Sequence, residues 1–480
     1  MIDVHAAELA EHRRWKLKPP HENFRAFDAL VQNEFRPPEQ HDKHLAVGVR
    51  NTVRFAAEHV PYYASLLAKL NLRADDITSP FDLPKLPALT KHDVLEYNED
   101  LKARALPPNE RVSGQTQSSG TTGRRVSVLH STGSNAMFHL LRHRNARVHR
   151  LDPMAARLDV RQRSDVFSGL NLGQDEPRFA RYPQWRSLGS YFHTGPEFAF
   201  PVSRPMEEQV ALLKELRPDY AMTFPGVFEE WLLASQWQKP VDSIKTLVGI
   251  GSQLTPSMRT RLEDIYAAPI HMNYGLNEIG MVAVRCPNGR YHVHVEHCMV
   301  EIADAAGKPC APGEVGHVLV TGFRNFAMPL IRYDTGDLAE VVTGICACGR
   351  TLPSFGELQG RYRRYAGLPE GTRERVRAIR ETIENCSATE LVFLRRYQVH
   401  QDKQNRFTLR LRTVAPIPEA FRAKIMNAWS PFDLTTLTIE ARDEIATSPS
   451  GKILDFTSDF HGDSAYPAAF DKAVRPIADN

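Results

Sequence analysis

The sequence predicts an α/β protein: a large multi-layer α/β domain with a β-rich section, followed by a small mobile α+β domain. Three observations carry that expectation. Between residues 111 and 345, short apolar stretches alternate with amphipathic segments, the rhythm of strands and helices packed in layers. Beyond Gly360-Arg361 the texture changes to a helix, two alternating strands, a second helix and a further strand, a length that suits a small independent unit. The chain has 480 residues, enough for two to four domains and a large core. The domains are therefore placed at 1–360 and 361–480, with a hinge near 360.

Residues 1–110 read as mostly helical. His44 to Leu70 carries Val53, Phe55, Ala56 and Val60 at helical spacing, interrupted at Pro61-Tyr62-Tyr63. Asp82 to Pro87 reads as an extended connector, and Thr90 is placed to cap a short helix. Glu207 to Leu216 and Pro256 to Tyr266 read as helices; Lys245 to Ile250, Ile270 to Tyr274 and Gly316 to Thr321 read as strands. In the second domain, Arg373 to Asn385 and Pro418 to Trp429 are helical. Leu391 to His400, Arg406 to Arg412 and the stretch around Leu437-Thr438-Ile439 are extended. The tail after 461 is expected to be loosely held.

Composition narrows the class. Hydrophobic content of 42% and charged content of 24% are those of a globular protein. A net charge of +3 gives no reason to expect nucleic acid or membrane as partner. The arginine-rich stretches at 142–163 and 361–380 are expected to form solvated helix faces. No run approaches the roughly 20 apolar residues of a membrane span, and the first residues lack the apolar centre of a secretory signal. A cytoplasmic location is expected. There the six cysteines, at 286, 298, 310, 346, 348 and 386, would be thiols or metal ligands.

Four segments can carry chemistry. Ser118-Ser119-Gly120-Thr121-Thr122-Gly123, followed by Arg124-Arg125, offers hydroxyls and backbone N–H groups to an anion, with glycines permitting close approach. It lacks the lysine arrangement of a Walker A loop. Tyr274-Gly275-Leu276-Asn277-Glu278 follows a predicted strand, where α/β folds place ligand groups. There a ring can stack on a base, and a carboxylate can hold Mg²⁺. Asp337, in Arg332 to Leu338, can accept hydrogen bonds from ribose hydroxyls; Lys452 stands on the tight Ser448 to Ile453 stretch. Cys286 and His292, with Cys346-x-Cys348, make a Cys₃His set of the kind structural Zn²⁺ prefers, with His294 as a substitute for His292.

In this order and spacing the four segments resemble the adenylate-forming superfamily of acyl-CoA synthetases, luciferases and peptide-synthetase adenylation domains. Val53 to Tyr63, Leu86 to Lys91, Pro329 to Tyr333 and Cys346 to Arg350 look most like its phenylacetate-CoA ligase branch. The resemblance runs from about residue 45 to 456. It implies a two-step reaction with ATP: a carboxylate attacks the α-phosphate to give acyl-AMP and pyrophosphate, and an acceptor then takes the acyl group. It further implies that Ser118 to Gly123 hold the β- and γ-phosphates and that Glu278 coordinates Mg²⁺. Tyr274 would lie near adenine with Gly251, Ser252 and Gly275. Asp337 and Arg361 would hold the ribose, and Lys452 would reach the α-phosphate. Members of the branch share the Cys286, His292, Cys346, Cys348 pattern, and some are thought to bind zinc through it. The acid is expected to be aromatic or otherwise planar, with its pocket within 138–226 and Phe192, His193 and Phe224 as candidates.

The sequence departs from the family at three places. Arg124 replaces a common lysine, Asn277 replaces the usual Ser or Thr before the glutamate, and the stretch after Arg361 lacks the acidic hinge residue. The last leaves the acceptor open: CoA leads, with a carrier-protein thiol or an amine behind. Adenylylation of a deazaflavin coenzyme and a non-enzymatic role as a degenerate nucleotide-binding regulator are two further readings. A homodimer is compatible with the sequence.

Overall fold

The computed structural model describes residues 8, 10–20, 25–117, 126–167, 177–252, 254–361, 368–387, 389–445 and 455–460. Three helices open it: α1 (Ala26–Asn33), α2 (Pro38–His59) and α3 (Pro61–Lys69). Pro38 and Pro61 each begin a helix, where the missing N–H costs nothing. Leu45, Val49, Val53 and Ala56 form the buried stripe of α2. The helix α4 (Lys91–Glu96) is capped as expected: Thr90 Oγ1 accepts from the Asp93 N–H, while Asp93 accepts from the Thr90 N–H.

The expected extended connector is instead partly helical. Pro80–Lys85 form a 3₁₀ helix, because Asp82 Oδ2 accepts from the amides of Thr78 and Ser79 and Pro80 presets the first turn. Leu83 anchors it in the core.

A two-stranded ribbon follows, β1 (Val112–Gln117) and β2 (Ser127–Ser131), antiparallel with Gln117 opposite Ser127. The chain then runs through α5 (Thr132–Val148), β3 (Arg157–Arg161), α6 (Arg163–Val166), β4 (Ala180–Tyr182), β5 (Glu197–Pro201) and α7 (Met206–Leu216). After these come β6 (Tyr220–Thr223), α8 (Pro225–Ala234), β7 (Thr246–Gly249), α9 (Pro256–Tyr266), β8 (Ile270–Leu276), β9 (Gly280–Arg285) and β10 (Tyr291–Val293). The central sheet has nine strands in the order β14-β10-β9-β8-β7-β6-β3-β5-β4, with β14 at Ser354–Phe355. Its middle, β5 through β8, is parallel, and antiparallel strands close both edges. That mixture is what the alternation of strands and crossover helices dictates.

The β-rich section is an antiparallel four-stranded sheet of β11 (Cys298–Ala303), β12 (Val315–Gly322), β13 (Tyr333–Glu340) and β15 (Leu358–Arg361). Past it stand α10 (Thr372–Glu384), β16 (Leu394–Gln401), β17 (Phe407–Thr413), α11 (Glu419–Trp429), β18 (Leu437–Arg442) and β19 (Phe456–Ser458). These four strands make their own sheet, ordered β18-β17-β16-β19. Val376, Ile379 and Ile383 of α10 face it, with Phe421, Ile425 and Trp429 of α11. This unit touches the larger one where Arg396 pairs with Glu230 of α8 and the Arg261 guanidinium donates to the Glu384 carbonyl.

The two arginine stretches behave differently. On α10, Arg373 and Arg377 are exposed, as expected. The 142–163 stretch is not a solvated face. Arg144 and Arg147 of α5 are fully buried, and Arg157 nearly so. Their charge is met by carboxylates from distant segments: Glu34, Glu296 and Glu8 for the first two, Glu197 for Arg157. Arg350 joins the first group through Glu34 and Glu8. No described helix is long and apolar enough to cross a membrane.

Candidate functional site

The strands β6, β7 and β8 end side by side, and the chain turns sharply after each. At the end of β7, Gly251 has φ of +66°, a conformation that favours glycine, and the Ser252 N–H closes back on the Ile250 carbonyl at 2.9 Å. Both residues are exposed. Strand β8 runs into the Tyr274 to Glu278 segment and reverses into β9. Gly275 is required there, since a Cβ would lie 2.9 Å from the Gly280 carbonyl oxygen.

The ribbon β1–β2 is tied directly to this turn. Thr116 Oγ1 donates to the Asn277 carbonyl at 2.7 Å, and Asn277 Nδ2 donates to the Gln117 carbonyl at 3.0 Å. The His130 ring reaches the same Asn277 carbonyl at 3.1 Å. The ribbon whose connection begins at Ser118 is therefore anchored one residue away from Glu278. The segments 118–125 and 446–454, which include the phosphate-loop residues Ser118 to Gly123 and Lys452, lie outside the described residues, as does 362–367.

Beneath the turn lies a buried acid–phenol layer. Tyr274 is 6% exposed; its hydroxyl donates to Asp337 Oδ2 at 2.8 Å, and its ring meets Tyr291 and Phe355 edge-on. The Tyr333 hydroxyl donates to Glu278 Oε1 at 3.1 Å. Asp337 on β13 is directly opposite Arg361 on β15, so the two residues that the resemblance assigns to the ribose are cross-strand neighbours. Sequence reading missed Thr116, His130, Asn277 as a tether, and Tyr333. Tyr333 ends the Pro329 to Tyr333 motif, but nothing local pairs it with a glutamate 55 positions before it.

The acid-pocket candidates separate. Phe192 is packed core, stacked on His143 and edge-on to Trp15 and Phe27. Phe224 also belongs to the core. His193 is exposed, its amide donating to the Lys16 carbonyl.

A second cluster forms at the edge of the central sheet. Cys286 follows β9, His292 is in β10, and Cys346 and Cys348 come from the turn before β14. Their ligand atoms all lie within 4.8 Å of one another. Cys286 Sγ is 3.7 Å from Cys346 Sγ, and Cys348 Sγ is 3.2 Å from His292 Nε2. A tetrahedron with Zn–S bonds of about 2.3 Å separates its sulfurs by about 3.8 Å. The His292 Nδ1 faces the Leu352 carbonyl at 3.4 Å, leaving Nε2 for a metal. Burial opposes charge on His292, but hydrogen bonds to Cys346 and Cys348 outweigh it and raise the ring to about 9. The hydrogen bond to Cys286, working against burial and helped by His292, lowers Cys348 to about 3. The donor set suits zinc. The substitute His294 is not in this cluster; its Nδ1 faces the Arg144 guanidinium at 3.2 Å. Cys298 and Cys386 are packed thiols, and Cys310 is half-buried.

Residues 82–328 match the AMP-binding enzyme family. The chain is 28% identical over 329 residues to a phenylacetate-coenzyme A ligase of Thermus thermophilus, covering 65% of this chain and 68% of that protein. It is 27% identical over 326 residues to the phenylacetate-coenzyme A ligase of Escherichia coli, with 65% and 68% covered. Among solved structures, 2-hydroxyisobutyryl-CoA ligase in the postadenylation state with 2-HIB-AMP aligns at a TM-score of 0.70 and 16% identity, covering 89% of this chain and 91% of that one. Family match, fold and the converging strand ends agree: the chain belongs to the AMP-binding, adenylate-forming enzymes and is similar, within them, to the phenylacetate-coenzyme A ligases.

Proposed function

We propose that the protein activates an aromatic carboxylic acid with ATP as its acyl-adenylate and then passes the acyl group to coenzyme A. The observation that supports this best is the anchoring of the β1–β2 ribbon to Asn277, beside Glu278 and above the Tyr274–Asp337 pair. That arrangement brings Gln117, after which the 118–123 stretch begins, together with Glu278 and Asp337 beside the strand ends where open α/β sheets bind ligands, which supports reading them as anion loop, metal ligand and ribose ligand. The similarity to phenylacetate-coenzyme A ligases supports the acid and the acceptor.

In this reading Ser118 to Gly123 cradle the β- and γ-phosphates through N–H and hydroxyl groups. Glu278, held by Tyr333, binds Mg²⁺, which offsets charge on the phosphates. Asp337, held by Tyr274, and Arg361 bind the ribose, and Gly251 and Ser252 line the adenine side. The substrate carboxylate oxygen attacks the α-phosphorus as the bond to pyrophosphate breaks, and Lys452 stabilises the charge that gathers there. The thiol of coenzyme A, losing its proton, then attacks the acyl carbon and AMP leaves. A division at 360, with residues 361–480 moving as a unit, lets Lys452 approach for the first step and withdraw for the second. Cys286, His292, Cys346 and Cys348 hold a structural zinc that ties β9, β10 and the 346–348 turn together.

Pyrophosphate release tests the proposal. It should require a carboxylic acid, and an acyl-thioester should accumulate with coenzyme A but not with amines. Acid-independent release, or none across a broad aromatic panel, would overturn it.

A further inference from the structure

Helix α5 carries an arginine whose surroundings do not account for it. Arg142 lies deep in the large domain yet stays half-buried rather than closed off, so solvent reaches it. It has no ion pair and no hydrogen bond among the described residues. Its neighbours explain why. The two carboxylates whose charge reaches it are Asp159 and Glu197, and both are already shared. Asp159 takes Arg161 at 2.7 Å and Arg186 at 3.3 Å. Glu197 takes Arg157 and Arg186. Four guanidiniums thus face Asp159 and Glu197, with Asp165 also near Arg161 and Arg186, and Arg142 is the one with no ion pair among the described residues. Burial, with Arg161 and Arg157 adding repulsion, pushes it down to about 10. A cation in such a place is costly unless something anionic joins it.

The position is adjacent to the proposed reaction site. Arg142 sits one helical turn from Phe138, its guanidinium carbon 4.9 Å from that ring's centre. Phe138 in turn covers the start of β9, two residues past Glu278: a Cβ on Gly280 would come within 3.9 Å of the ring. On the other side, Arg161 ends β3 and reaches the Met222 sulfur at the end of β6. Phe138 thus lies between Arg142 and the turn that carries Glu278.

We propose that Arg142 recognises a second anionic group on the substrate: the favoured acid carries, besides the carboxyl that is activated, a further carboxylate or equivalent oxyanion at its remote end. This rests on the acid-activation reading and names the substrate class within it. The second group is bound and not transformed. Phe138 supplies an apolar wall beside the guanidinium, which suits a planar spacer between the two anions.

The test uses the full chain, wild type and the variants Arg142→Met and Arg142→Lys. Acid-dependent pyrophosphate release with ATP and coenzyme A is compared for 4-carboxyphenylacetate, its neutral isostere 4-nitrophenylacetate, and phenylacetate. Sulfonate and positional isomers of the first define which oxyanion fits. For the wild type, kcat/KM for a carboxylated acid should exceed that of the nitro isostere by roughly 30- to 100-fold, the scale of a charge-assisted hydrogen bond. In Arg142→Met the ratio should collapse toward one, mainly through KM, and Arg142→Lys should keep part of it. A wild type that prefers the neutral acids, or an Arg142→Met ratio equal to wild type, overturns the inference while leaving acid activation intact. The wild-type panel decides even if Arg142→Met fails to fold. Absence of release with every acid removes the activation reading, and this inference falls with it.

Discussion

Replacing Glu34 by glutamine should destabilise the large domain by about 3–5 kcal/mol, the cost of leaving a buried charge without its partner. Glu34 is fully buried; it accepts from Arg350 Nε at 2.8 Å and from Arg147, and it pairs with Arg144, whose Nε is 3.2 Å away. Glu8 and Glu296 complete the set, Glu8 pairing with Arg147 and Arg350, and Glu296 with Arg144. Three buried arginines meet three glutamates, with the exposed Arg150 also pairing with Glu8, so the glutamine variant keeps the shape and removes one buried negative charge. Denaturant unfolding followed by tryptophan fluorescence should show a lower midpoint at unchanged slope. Adding Arg147→Met should restore part of the loss, giving a measurable coupling energy. The pH dependence carries its own sign. Burial disfavours the charged carboxylates, but the arginines outweigh it and hold both Glu34 and Glu296 below 4.5, Glu296 at about 2. Lowered carboxylates stabilise the fold above their unfolded values, and that stability is lost as pH falls from about 4.5 through the folded values. For Glu296 alone it amounts to roughly 3 kcal/mol. The Glu34→Gln variant should therefore lose less on acidification than wild type. A variant within about 1 kcal/mol of wild type at pH 7, or one with the same acid transition, would refute this account of the network.

Tyr274→Phe removes the hydroxyl that holds Asp337, and should raise KM for ATP by roughly tenfold or more, at the scale of a hydrogen bond to a charged group; unchanged ATP kinetics would detach Asp337 from the nucleotide. Lys452→Ala should abolish acyl-adenylate formation while nucleotide binding, measured by calorimetry, persists; full pyrophosphate release in that variant would remove its catalytic role. Cys348→Ser should lower bound zinc, measured by elemental analysis of chelator-washed protein, from about one equivalent toward zero, with a lower melting temperature. A wild type that is folded and metal-free after the same wash would count against the zinc site.

The parts of this protein legible in the sequence are those whose signal is local. Helix α9 follows from Pro256 and the periodicity after it, α4 from Thr90 and Asp93, and the strand before Tyr274 from its apolar run. The cysteine–histidine set is legible because cysteines are few and the family pattern joins them. What escapes depends on partners far away in the chain. Asn277 reads as a mild departure from a motif, yet its side chain meets the Gln117 carbonyl 160 residues earlier. Arg144 and Arg147 read as a solvated face because a helix rich in arginine has that meaning when its partner is water. Their partners are Glu8, Glu34 and Glu296, which no window around α5 contains. The 80–85 turn fails for the opposite reason: its cap is local, at Ser79 and Asp82, but two prolines mask it.

Charge balance separates what these buried arginines do. Around Glu34, the three arginines and three glutamates satisfy one another, with Thr351 hydrogen-bonded to the Glu34 and Arg36 carbonyls. Exposed Arg150 also reaches Glu8, but every buried arginine of this cluster has a carboxylate partner. The cluster joins the N-terminal helices to α5 and to the 346–350 turn, which is a scaffold's task. Around Asp159 and Glu197 three half-buried arginines gather with Arg157, and Arg142 is the one with no ion pair among the described residues. Both clusters stem from the same helix, and Arg142 and Arg144 are only two positions apart. In an α-helix two positions turn a side chain to the opposite side. One face of α5 is therefore committed to holding the domain together, and the other carries Arg142, which has no ion pair among the described residues. A fold that neutralises Arg144 and Arg147 on one side of a helix has the means to neutralise Arg142 on the other. That it leaves Arg142 open argues that the missing anion arrives with the substrate.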